Sequence, residues 1–206
     1  MVLPRAFYAR PTLEVAKDLI GKVLVHCTKA GLASGKIVEV EAYIGESDPA
    51  CHAAPGPTKR NAPLYGPPGY SYVYLNYGVH YLFNVVTEDE GSPAAVLVRA
   101  IEAIDGVALM QTRRRRHRTA RHGGRRRTIP EHDLGRGPGN VTHALGISLR
   151  ENRLDLLGPR LYIEDRGLAA GRLRWSPRIG ITKGTDQHWR CFDRCSASVS
   201  GSARIR

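Results

Sequence analysis

The sequence predicts an α+β fold, a single domain over residues 1–206 with a curved, mainly antiparallel β-sheet core and peripheral helices. Three observations predict it. Short β-rich runs recur along the chain and are joined by turn-forming residues. No internal repeat or Pro/Ser-rich linker divides the chain into two cores. The 206 residues, 42% hydrophobic and 24% charged, suit one buried core.

The elements follow in order. Thr12 is placed to cap a helix through Ile20, with Leu13, Ala16 and Ile20 on one face and Gly21 as its stop. Lys22 to Thr28 and Lys36 to Tyr43 are β-rich and separated by a glycine-containing loop, a hairpin pattern. In the second run Ile37, Glu39 and Glu41 share one face, and Val38, Val40 and Ala42 share the other. With the apolar set turned to the core, both carboxylates lie on the opposite surface, where a cleft can form.

Pro49 to Pro68, rich in Pro, Gly and Ala, reads as a long irregular connection of the kind that carries function or moves. Tyr70 to Tyr77 is strand-like, with Ser71, Val73 and Leu75 alternating against Tyr70, Tyr72 and Tyr74. Tyr81 to Val86 and Ala94 to Ile101 are two more strands, joined by a turn at Glu88-Asp-Glu-Gly91. Glu102 to about Gln111 reads as helix. Gly135 to Gly146 places a glycine-rich turn ahead of a short helix, and Leu161–Glu164, Arg178–Ile181 and Trp189–Asp193 are short strand candidates.

The formal charge is +12, but Thr112 to Arg127 alone holds nine arginines and no acid. Subtracting those nine leaves +3 for the rest of the chain. The segment lacks apolar periodicity, so residues 112–127 are expected to be a solvated, disordered loop that adds salt-sensitive phosphate contacts. Such a loop does not define a function. Cys27, Cys51, Cys191 and Cys195 form no metal-ligand or disulfide framework, and the eight histidines are scattered. No metal and no cofactor are expected. The N-terminus lacks the apolar run of a signal peptide and no window approaches a membrane span, so the expectation is a soluble intracellular protein with no membrane partner.

The chemistry concentrates in two blocks. Glu39-Val40-Glu41-Ala42-Tyr43, followed by His52, supplies acids able to activate water; Tyr70-Ser-Tyr72-Val-Tyr74-Leu-Asn-Tyr77-Gly78 adds flat side chains able to stack on a nucleobase. Each signal alone is weak, since a strand-face Glu is usually a solvated charge and strand tyrosines usually pack. Together, and in order along most of the chain, they resemble the alkyladenine (3-methyladenine) DNA glycosylases. The resemblance runs from Phe7-Tyr8 and Ala16-x-x-Leu-Ile-Gly-Lys-Val-Leu-Val25 through Ile37-Val-Glu-Val-Glu-Ala-Tyr43, His52, Tyr72-Val-Tyr74-x-x-Tyr77-Gly78, Asn84 and Val98-Arg99-Ala100. Gly137-Pro138, Ala144-Leu-Gly-Ile147, Arg178-Ile-Gly-Ile181 and Trp189-Arg190 complete it.

The resemblance implies a monofunctional hydrolase that flips an alkylated or deaminated purine out of double-stranded DNA and cuts its N-glycosidic bond, acting as a DNA-associated monomer. Glu41 would be the general base that activates water, and Arg99 would help hold that water and the carboxylate, with a backbone carbonyl near Ile181 as a further contact. Tyr43, His52 and Tyr74 would line the base pocket, Tyr77 would intercalate into the duplex, and Asn84 would disfavour the 2-amino group of guanine. The arginine-rich insertion and the tail beyond Asp193 depart from the family pattern.

Two other readings stand beside it. A non-enzymatic nucleic-acid binder would use the tyrosines for stacking and the arginines for phosphates. A sugar hydrolase would use Glu39 and Glu41 as an acid/base pair.

Overall fold

The computed structural model describes residues 1–122 and 128–201, which form a curled antiparallel sheet with a few short helices against it. Two helices, α1 (Arg5–Tyr8) and α2 (Thr12–Leu19), precede the hairpin β1 (Val23–Thr28) and β2 (Gly31–Ile44). A long connection with one 3₁₀ turn, Ala62–Tyr65, leads to β3 (Ser71–Asn76), β4 (His80–Val86) and β5 (Ala94–Asp105). Then come α3 (Val107–His122), α4 (Glu131–Leu134), β6 (Gly135–Arg136) and α5 (Pro138–Leu145). Strands β7 (Leu161–Glu164), β8 (Leu173–Ser176) and β9 (Arg190–Asp193) close the chain. The main sheet order is β3-β4-β5-β2-β1-β7, with β6 on β5 and the β8–β9 pair on β2.

The 14-residue β2 is central because three partners use it: β1 along its first half, β5 along most of its length, and β9 at Glu39 to Glu41. The core packs Val15, Ala16 and Leu19 of α2, Leu24, Ile37, Val40, Phe83, Val98 and Ile101 of the sheet, and Leu145 of α5. Burial of these branched and aromatic side chains is the main favourable term in folding, at roughly 1.5–3 kcal/mol for each large one.

The β2–β5 ladder carries two complementary irregularities. Val40 pairs with Val98 and Glu39 with Ala100, so Arg99 is the extra residue on β5. Glu39 pairs with Ala100 and Ile37 with Ile101, so Val38 is the extra residue on β2. Bulges of this kind re-aim side chains and recur beside active sites. Here they break the expected alternation. Ile37 joins the main core with Val40 and Ala42, whereas Val38 packs in a separate cluster with Ala100, Phe192 and Val199.

Other expectations need correction. Thr12 does not cap α2: Pro11 occupies the cap position, and the Thr12 hydroxyl instead donates to Glu88 and meets Thr87. The predicted helix from Glu102 begins only at Val107, because β5 continues to Asp105 and its far end pairs with β2. That helix then runs through Arg113–Arg116 to His122, so the expected loop at 112–127 is helical in its described part; residues 123–127 lie outside the described residues. Arginine is a good helix former, and apolar anchoring at Met110 holds the helix to the core. Arg178–Ile181 is no strand but a bend; the strand in that region is Leu173–Ser176.

Candidate active site

Glu41 is fully buried and holds the centre of the site. Its carboxylate accepts three hydrogen bonds: from Tyr43 Oη at 2.9 Å, from Arg99 Nη1 at 3.0 Å, and from the backbone N–H of Ile179 at 2.7 Å. The three donors come from β2, β5 and the bend after β8, so the carboxylate is placed only when all three segments meet. A carboxylate offers about four acceptor positions, so about one remains for a water.

Glu39, two residues earlier, is equally buried and more heavily bonded. Arg99 Nε (3.0 Å), Arg190 Nε (2.7 Å), the Ser200 hydroxyl (2.9 Å) and the Ser200 N–H (2.6 Å) all donate to it. Two carboxylates and two guanidiniums thus balance beneath the site. Burial alone would lower the pKa of Arg99, and the charges of Glu41 and Glu39 outweigh it and raise it. Three of the bonds to Glu39 fall on Oε1 and one on Oε2, and Glu39 does not line the cavity described below. It is held in ion pairs away from the site and is poorly placed to act as an acid/base partner of Glu41.

Above this layer opens a cavity of about 340 Å³, within the range of small-molecule sites. Tyr43, His52, Tyr72, Tyr74, Tyr77, Asn84, Arg99 and the Ile179–Ile181 bend are among its lining residues. Glu41 itself does not line it and sits one layer behind Tyr43, Arg99 and Ile179. The predicted residues are therefore brought together, with Glu41 as the floor beneath the wall. The bend meets Glu41 through the Ile179 N–H, a contact that the sequence did not suggest beside the expected carbonyl near Ile181.

The aromatic wall is packed edge to face. His52 and Tyr74 have ring centroids 4.4 Å apart at 62°, and His52 Nδ1 lies 2.8 Å from Tyr72 Oη. Burial, and secondarily the nearby charge of Arg60, lowers the His52 pKa, so the ring is neutral at neutral pH. Burial pushes the Tyr72 phenol up to about 12. Burial and the neighbouring Glu41 charge raise the Tyr43 pKa further, keeping its O–H as a donor. Asn84 is buried and donates from Nδ2 to the Tyr72 carbonyl at 3.0 Å, which orients its amide.

Tyr77 stands apart from this packing: it is 88% exposed at the tip of the β3–β4 hairpin. Its φ of +49°, followed by +67° at Gly78, has the signs that a type I′ turn requires, and Val79 N–H closes the turn on the Asn76 carbonyl at 3.0 Å. Gly78 meets that demand at no steric cost, whereas Tyr77 adopts a conformation uncommon for a bulky residue.

Two supporting residues were missed by the sequence reading. Arg178 is buried, grips Asp48 through both Nη atoms (2.6 and 2.8 Å), and covers the Tyr43 ring at 4.6 Å. Its inclusion in the Arg178–Ile181 block was the available signal. Asn61 donates to the carbonyls of His52 and Gly56, each at 2.8 Å, and so organises the proline-rich connection that carries His52. Nothing local in the sequence marks that role.

A family model described as methylpurine-DNA glycosylase matches residues 6–196. The chain is 46% identical over 206 residues to a protein of Methanocella arvoryzae, covering 98% of this chain and 97% of the relative. It is 43% identical to one of Chlorobaculum parvum, over 94% of this chain and 88% of the relative. A Chlorobium phaeobacteroides relative is 46% identical over 95% of this chain and 93% of its own length. The names of all three assign them, by inference, as 3-methyladenine DNA glycosylases.

Proposed function

The chain belongs to the methylpurine-DNA glycosylase family, and from that premise we propose that it removes alkylated purines such as 3-methyladenine, and deaminated or etheno purines, after flipping them from duplex DNA. The family makes it a hydrolase of N-glycosyl bonds acting on DNA in base-excision repair. The observation that carries the finer reading is the buried Glu41, held by Tyr43, Arg99 and Ile179 directly behind an aromatic cavity.

In the proposed mechanism the flipped base enters between Tyr43 and the His52–Tyr74 wall. Extruding it costs a few kcal/mol, and aromatic stacking returns roughly 1–3 kcal/mol. Tyr77 fills the vacated place in the stack, as wedge residues do. Asn84 confronts the edge of the base and disfavours the 2-amino group of guanine. A water on the remaining acceptor position of Glu41 attacks C1′; its proton passes to Glu41, the C1′–N bond breaks, and the base departs with the bonding electron pair. An alkylated adenine is cationic and leaves as a neutral base without an added proton. A neutral lesion needs a proton from solvent or the pocket. The product is an intact abasic site, and the enzyme works as a DNA-associated intracellular monomer over its single domain, residues 1–206.

The test uses duplexes carrying hypoxanthine or ethenoadenine, and methylated DNA as the source of 3-methyladenine. Wild-type protein releases free base under single-turnover conditions, and Glu41→Gln loses about 10²–10⁴-fold of that rate with duplex binding retained. Equal rates in both proteins would remove Glu41 from the reaction. Binding without base release in the wild type would support the non-enzymatic binder instead.

A further inference from the structure

The sequence scatters its histidines, but the fold gathers three of them. His80 opens β4, His117 lies on α3 and His143 on α5, and one ring nitrogen from each lies within 4.8 Å of the others. His80 Nδ1 is 3.2 Å from His143 Nε2, and the rings of His117 and His143 stack with centroids 3.5 Å apart. The cluster is separate from the residues that line the aromatic cavity.

We propose that His80, His117 and His143 form a binding site for a divalent transition-metal ion, zinc being the best match. Three imidazoles without a carboxylate or thiolate select zinc, copper, nickel or cobalt over magnesium or calcium. A tetrahedral zinc with Zn–N bonds of 2.0–2.1 Å separates its ligand nitrogens by about 3.4 Å. The His80–His143 spacing already matches one edge of that tetrahedron; His117, stacked on His143 with 29° between the ring planes, joins it by rotating out of the stack so that its in-plane lone pair points at the ion. Space for the His80 ring depends on Gly139: a Cβ there would stand 2.8 Å from its Nδ1. A water or another exogenous donor completes the fourth position.

The placement gives the site a mechanical consequence. His80 is paired with Asn76 in the last ladder position before the turn whose tip is Tyr77, and His117 sits on the helix that carries the arginines. A bound ion ties that hairpin to α3 and α5. The inference rests on the three histidines alone and stands whether or not the glycosylase mechanism is right.

The experiment uses the full chain, free of any histidine tag and stripped of metal by a chelator. Cobalt(II) added to it should give the visible absorption of four-coordinate cobalt at one equivalent, and one equivalent of zinc should abolish it. His117→Asn and His143→Asn should each weaken zinc binding by at least about tenfold. Zinc should raise the thermal midpoint of the wild type and leave that of the double variant unchanged. Far-UV circular dichroism checks folding; if His143→Asn misfolds, His117→Asn alone carries the comparison. Failure of the wild type to take up cobalt or zinc would overturn the proposal, as would variants that bind like the wild type.

Discussion

Arg99 meets Glu41 because the β5 bulge leaves Arg99 without a register partner and turns its guanidinium beneath the cavity, 3.0 Å from the Glu41 carboxylate. The same guanidinium bonds Glu39 through Nε. One irregularity in a ladder therefore links the proposed base to its structural neighbour.

Replacing Arg99 with Met removes the donor shared by two buried carboxylates. Breaking a buried pair from one side costs about 3–5 kcal/mol. Urea denaturation is expected to show a loss of that size. A loss under about 1 kcal/mol would mean that Arg190, Ser200 and Ile179 suffice.

Tyr77→Gly separates the hairpin from the duplex. Relief of the left-handed conformation, about 1 kcal/mol, is offset by the extra backbone entropy of glycine, roughly 0.5–1 kcal/mol. Stability is therefore expected to stay within about 0.5 kcal/mol of wild type. Retention of lesion-containing duplex, read by dissociation rate, should fall. A variant that retains damaged DNA as long as wild type would remove Tyr77 from the wedge role.

Acidification should destabilise the protein through His26 and His52. Burial lowers the pKa of both below the ordinary 6.5, so their neutral forms are favoured in the fold. The unfolded chain takes up protons as pH falls through about 6.5, and the folded chain does not until its lowered values are reached. Their contribution is complete above about 6.5 and declines below it. Urea midpoints between about pH 7.5 and 5.5 check this, with His52→Gln expected to flatten the slope. An unchanged slope would place the pH dependence elsewhere.

Arg113 anchors α3 to the end of α5. It donates to the Ala144 and Leu145 carbonyls at 3.2 and 2.7 Å, closing the end of α5. Arg113→Met is expected to cost about 1–2 kcal/mol in denaturation, as hydrogen bonds from charged groups do. Arg116→Gln, at an exposed position, should leave stability unchanged. If the two variants prove equally stable, the anchoring reading fails.

The sequence was most legible where structure is local. The β1–β2 pairing, the strand Leu161–Glu164, the turn before β5 and the helix ending at Gly146 follow from alternation and turn chemistry, although the loop expected between Thr28 and Lys36 shrinks to Lys29 and Ala30 because β2 pairs with β1 from Gly31 onward. The reading failed where a neighbour distant in sequence decides. β5 runs on past Ile101 because β2 lies alongside it, and Arg178–Ile181 bends because Arg178 is drawn to Asp48 and the Ala42 carbonyl.

Read without its neighbours, the block Glu39-Val40-Glu41-Ala42-Tyr43 determined that carboxylates and an aromatic ring would share a stretch of strand. The tertiary structure decided how the two acids differ. Arg190 and Ser200 reach back 151 and 161 residues to hold Glu39 away from the cavity, whereas Glu41 sits directly behind the cavity wall through Tyr43, Arg99 and Ile179. Periodicity reports which face a residue takes in a regular strand. Bulges and long-range hydrogen bonds set what that face meets, and they exist only when the chain has closed on itself.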